Sequence, residues 1–95
     1  MNYIKELQEF LNDHSDGDRE HSEGIKIHTV DNPGWSISIS IRQTSFQGKQ
    51  LDTVDIERSE SDWIYCKLED DVFHGVGGVF NLEEILSLFF YWINN

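Results

Sequence analysis

Trp35-Ser36-Ile37-Ser38-Ile39-Ser40-Ile41-Arg42 alternates apolar and polar residues without a break. Successive side chains on a strand point to opposite faces, so this stretch reads as a half-buried β-strand with Trp35, Ile37, Ile39 and Ile41 inward. Upstream, Ile25 and Ile27 alternate with Lys26 and His28, and Asp31-Asn32-Pro33-Gly34 separates the two runs. Proline presets φ and glycine frees it, a turn signal that makes the two runs a hairpin. Downstream, after a turn around Gln47-Gly48-Lys49, Val54 and Ile56 alternate with Asp55 and Glu57. A further turn from Arg58 to Asp62 leads into Trp63-Ile64-Tyr65-Cys66-Lys67-Leu68, with Ile64, Cys66 and Leu68 on one side and Trp63, Tyr65 and Lys67 on the other. Phe73 marks a short fifth strand.

The ends of the chain change period. Tyr3, Ile4, Leu7, Phe10 and Leu11 fall at helical spacing, which predicts a short amphipathic helix stopping near Asn12. From Asn12 to Glu23 no apolar residue offers itself for burial, and the segment reads as a polar loop. Asn81-Leu82-Glu83-Glu84 has the spacing of a capping box, in which two side chains satisfy each other's free backbone donors, so a second helix starts there. Its residues Leu82, Ile85, Leu86, Phe89, Trp92 and Ile93 share one arc, and Leu88 and Phe90 widen that arc to roughly 200°, against ~100° for an ordinary surface helix. The excess demands cover, either inside the chain between the two helices and the sheet or across a homodimer contact through the C-terminal helix. The expected architecture is α+β: one domain over residues 1–95 with an N-terminal helix, an antiparallel sheet of four or five strands in a meander, and a C-terminal helix packed on the sheet.

The chain has 95 residues, of which 18 are acidic and 7 basic, for a formal charge of −11. That imbalance argues against a nucleic-acid partner, because phosphate neutralisation needs clustered cations, and Lys26, Arg42, Lys49, Arg58 and Lys67 stand singly. A charged partner is expected to be basic. Cys66 is the lone cysteine, so no intramolecular disulfide forms, and no basic-then-apolar leader precedes the first helix; both favour the cytoplasm. The longest apolar run, Leu88 to Ile93, falls far short of the roughly 18 residues of a membrane span.

Few groups are arranged for chemistry. Asn12 to Glu23 imitates a calcium loop, with glycine sixth and glutamate twelfth, but Asn12 and His14 occupy its first and third positions and a strand follows it. His14, His21 and His28 recur every seven residues beside Glu20 and Glu23; they carry the alternative reading of a small metal- or ligand-binding protein, without the close Cys/His pairs of a structural zinc site. Cys66 lies in a strand pattern, where a thiol is inert packing rather than a nucleophile. Gly75-Val76-Gly77-Gly78 has no following lysine and no acidic-free surroundings to suit phosphate, and reads as a flexible turn. No cofactor and no catalytic residue is assigned. The carboxylates around Asp55, Glu57, Glu60, Asp62, Glu69, Asp70 and Asp71 read as solvated charge or as an acidic recognition surface for a basic protein.

Three ordered stretches are distinctive: Glu20-His21-Ser22-Glu23-Gly24-Ile25-Lys26-Ile27, Asp31-Asn32-Pro33-Gly34-Trp35-Ser36, and Ile56-Glu57-Arg58-Ser59-Glu60-Ser61-Asp62-Trp63-Ile64-Tyr65-Cys66. Together with Gly75-Val76-Gly77-Gly78 and the helix start at Asn81, they resemble the immunity protein 53 family of bacterial toxin systems. The resemblance spans nearly the whole chain. It implies a small α+β cytoplasmic protein that binds and neutralises the polymorphic toxin encoded beside it. Arg19 and Glu23 replace the aromatic residues expected around Glu-His-Ser, and Val79-Phe80 replaces a more polar, proline-containing approach to the last helix, which points to a different toxin on the same fold. The residues expected to bind are Glu57, Glu60, Asp62 and Asp70 with Glu20 and His21 from the polar loop, while Trp35 and Trp63 serve either as aromatic anchors or as core.

Overall fold

The computed structural model describes residues 2–14, 24–31 and 33–95. Two helices and five strands follow in the order α1 (Tyr3–His14), β1 (Ile25–Val30), β2 (Gly34–Ser40), β3 (Val54–Ser59), β4 (Asp62–Glu69), β5 (Val72–Gly78) and α2 (Leu82–Ile93). The strands form one antiparallel sheet ordered β1-β2-β5-β4-β3. The β1–β2 hairpin is thus joined to a β3–β4–β5 meander by pairing β2 with β5, which places the last strand at the centre of the sheet.

That central strand corrects the reading of Gly75-Val76-Gly77-Gly78 as a turn. Glycine ordinarily weakens a strand, and in a strand interior it marks a close approach. Here the approaching element is α2: a Cβ on Gly75 would run into the Ile85 side chain, and one on Gly77 would lie 2.9 Å from the Trp63 carbonyl oxygen and 3.0 Å from Ile85 Cδ1. The glycines let α2 settle onto β5.

Register assigns the faces. Ile37 pairs with Ile27 and Gly75, Ile39 with Ile25 and Phe73, and Cys66 with Val54 and Gly75, so these residues share the face beneath the helices. Ile37, Ile39, Ile41, Cys66 and Phe73 are fully buried there against Ile85 and Phe89. Rings hold the layer together: Phe73 meets Phe89 edge-on with centroids 5.0 Å apart, and Phe10 of α1 meets Phe89 at 5.5 Å. Edge-to-face pairs of this kind add about 0.5–1.5 kcal/mol each beyond their buried area.

Most of the wide apolar arc of α2 finds cover within the chain, with Leu82, Leu88 and Trp92 half-buried at its margins. Ile85, Phe89 and Ile93 are buried toward the sheet, while Leu86 and Phe90 are buried near α1, where Tyr3 stacks on Phe90. Trp92 donates from Nε1 to the Gln50 carbonyl at 2.8 Å, which ties the helix to the β2–β3 connection. Tyr91 is left exposed. α1 runs to His14, slightly past its expected end. Asp70 and Asp71, with φ of 53° and 61°, close the β4–β5 hairpin; short-chain Asp tolerates this left-handed backbone, which two-residue hairpin turns require.

Candidate functional site

Three surfaces stand out, and each grows from a different local cause. The first lies where the β3–β4 hairpin meets the start of α2. Arg58 Nη1 donates to Asp62 Oδ1 at 2.9 Å, and its Nη2 donates to Glu84 Oε2 at 2.7 Å. Asn81 Nδ2 donates to Asp62 Oδ1 at 2.9 Å and to Glu84 Oε1 at 3.0 Å, while its Oδ1 accepts the Trp63 backbone N–H at 3.4 Å. The capping box expected here is therefore not made: Asn81 occupies the N-cap position, but its side chain makes no cap hydrogen bond. The neighbouring strand competes for both side chains, offering a cation and a backbone donor that an isolated helix lacks.

Hydrogen bonds set the protonation of this cluster. Asn81, then Arg58, hold the Asp62 carboxyl below its usual range, and Arg58 does the same for Glu84. Glu84 and Asp62 in turn raise the Arg58 guanidinium still further above neutrality. The cluster is fully ionised at pH 7, and its groups answer each other.

The second surface is the sheet face without helices. Register aligns Lys26, Ser38, His74 and Lys67 in one row, and His28, Ser36, Val76, Tyr65 and Asp55 in the next. Trp63 and Glu57 pair in the row beyond. Ser38 Oγ lies 3.3 Å from His74 Nδ1. This face mixes both signs of charge, so the acidic excess of the chain is carried mainly by turns and helices.

The third is a groove of about 540 Å³ on the outer side of the helices, lined by Tyr3, Glu6, Ser87, Leu88, Phe90, Tyr91, Asn94 and Asn95. A hollow beside Ile4, Leu82 and Glu83 adjoins it at Tyr3, and one beside Leu51 and Trp92 adjoins it at Leu88 and Tyr91. Glu6 Oε2 is shut off from solvent there and accepts no hydrogen bond.

The residues singled out in the sequence are scattered over these surfaces. Glu57 and Glu60 are exposed near the β3–β4 hairpin, and Asp62 belongs to the ionic cluster. Asp70 sits at the opposite end of β4, eight residues from Asp62, or about 26 Å at strand rise. Glu20 and His21 lie outside the described residues, and His14 is described only as backbone. His28 is exposed on β1, on the helix-free sheet face. Among the described residues no group of three or more His, Cys, Asp or Glu side chains is placed to hold a metal ion. Trp35 and Trp63 are both half-buried on opposite faces, and Trp35 Nε1 donates to the Val79 carbonyl at 2.9 Å. Arg58, the ionic role of Glu84, and the groove residues Glu6 and Tyr91 were not anticipated. Arg58 looked like an isolated cation, and Glu6 like one polar position on an amphipathic wheel.

The described residues thus form a two-layer α+β fold whose accessible features are surfaces and a groove. The chain belongs to the immunity protein 53 family, whose model, Immunity protein 53, matches residues 4–94. No curated protein and no solved structure matches it. Among the described residues no helix is long and apolar enough to cross a membrane.

Proposed function

We propose that this chain binds the toxin encoded beside its gene and holds it inactive in the cytoplasm of the cell that makes both, itself making and breaking no covalent bond. The observation that carries this reading is membership of an immunity-protein family over residues 4–94. The charge of −11 adds the physical means, since an acidic protein steers toward a basic cleft and accelerates encounter. Glu57 and Glu60 are the proposed steering residues at the β3–β4 end, with Asp62 beside them; Glu20, His21 and Asp70 extend the same role to the polar loop and the far hairpin. Trp63, half-buried next to Glu57, is the proposed aromatic anchor on this side.

The test is calorimetric and kinetic titration of the neighbouring toxin domain. Tight binding is expected, with association slowed about tenfold or more when salt rises from about 50 mM to about 500 mM. Glu60→Lys is expected to slow association several-fold and leave dissociation nearly unchanged, as for a rim charge. Failure of a folded toxin domain to bind the wild-type chain would sink the reading; salt-indifferent binding would keep immunity but remove the acidic surface from it.

A further inference from the structure

One oxygen of the Glu6 carboxylate, Oε2, is shut off from solvent and accepts no hydrogen bond. Buried acceptors are paired as a rule, and an unmade hydrogen bond to a charged group is costly. Even the part-exposed carboxylates of the α2 cluster find partners in Arg58 and Asn81. Glu6 Oε2 finds none, although its side chain lines the groove of about 540 Å³ between the helices.

The walls of that groove narrow the choice of partner. Tyr3 lies nearly parallel to Phe90, with centroids 6.3 Å apart, and Tyr91 is 69 % exposed at the groove's rim. A flat cation fits between aromatic rings and a carboxylate, and guanidinium suits the setting better than ammonium because it is less strongly hydrated and stacks on rings. A second copy of this chain is a poor source of it. Both arginines among the described residues, Arg42 and Arg58, are already engaged, by the Asp70 carbonyl and by Asp62 and Glu84, and two chains of charge −11 repel each other.

We propose that the groove between α1 and α2 receives an arginine side chain of the toxin, with Glu6 as its counter-charge and Tyr3 and Tyr91 as its walls. This rests on the toxin-binding reading above and deepens it by naming what the toxin inserts and where. A turn of the Glu6 side chain brings its closed-off oxygen to the guanidinium, so the oxygen left without a partner in the free chain gains one in the complex. The groove adjoins the hollow at Leu82 and Glu83 by the start of α2, so one partner can cover it together with the β3–β4 end.

The experiment measures toxin dissociation from the full chain by surface plasmon resonance, comparing wild type with Glu6→Gln and Glu9→Gln. Both variants remove one charge from α1, but Glu9 is exposed and outside the groove lining. Glu6→Gln is expected to dissociate about tenfold faster or more and Glu9→Gln less than about twofold faster, the mark of a desolvated pair rather than of net charge. Tyr91→Ala, at an exposed position that the fold does not need, is expected to dissociate faster as well. The melting temperature of free Glu6→Gln is expected to equal or exceed that of wild type. Equal dissociation of the two glutamine variants from a toxin that binds wild type would overturn the groove and leave immunity standing. Absence of binding to wild type would overturn both.

Discussion

Cys66 and Gly75 face each other across β4 and β5, and each illustrates what one residue contributes beneath α2. Cys66 is fully buried, and burial pushes its thiol up to about 11. Thiolate is the reactive form, so the folded chain is expected to resist a disulfide-exchange reagent at neutral pH and to react only after denaturation; prompt labelling of the native protein would contradict this packing. An inert thiol was already legible in the strand pattern around it. Gly75 was not, because its role depends on Ile85, ten residues away in sequence and in contact only once the helix is laid on the sheet. Gly75→Ala is expected to cost about 1–3 kcal/mol by overpacking, read as a lower urea midpoint with an unchanged slope. An unshifted midpoint would mean that α2 can lift off β5 freely.

For the elements, the decisive junction is the start of α2. Asn81 signals a helix beginning in any reading of the sequence, and the helix does begin at Leu82. What the side chain does there was hidden, since the capping pattern describes an isolated helix and Asn81 instead joins that helix to β4. Asn81→Ala is expected to destabilise the fold by about 1–3 kcal/mol, as the Trp63 amide and two carboxylates lose a partner. The pH dependence has a definite sign. Asp62 and Glu84 are held below their unfolded values, so their contribution is full above the ordinary carboxylate range near pH 4 and is lost as pH falls through the lowered values. Asn81 is the largest cause of the Asp62 shift, so Asn81→Ala is expected to unfold at a higher pH than wild type in an acid titration followed by circular dichroism. Coincident acid transitions would show that the bonds Asn81 makes to these carboxylates contribute nothing to the stability of the fold.

Across the whole molecule, charge is distributed unevenly. The bare sheet face sets Lys26, Lys67, His28 and His74 against Asp55 and Glu57, whereas the β3–β4 end and the outer helical layer carry Glu60, Glu83, Glu6 and Glu9. An acidic composition predicts long-range attraction to a basic partner, and the salt dependence of association tests that at the scale of the entire chain. It does not say which side the partner meets. The strand-by-strand reading placed Glu57, Glu60, Asp62 and Asp70 together because they are neighbours in sequence; an antiparallel hairpin separates its two ends by the full length of the strands, and Asp70 moves away from the others for that reason.

Local periodicity carries the elements of this fold: alternation makes β1 to β4, helical spacing makes α1 and α2, and the α+β class follows, since each pattern is a property of a few consecutive residues. The order β1-β2-β5-β4-β3, the central place of a glycine-rich strand, the Arg58–Asp62–Asn81–Glu84 cluster and the Glu6 oxygen left without a partner in its groove all arise between segments distant in the chain. No one-dimensional pattern records such contacts, because they exist only after both layers have been brought together and their side chains compete for the same partners.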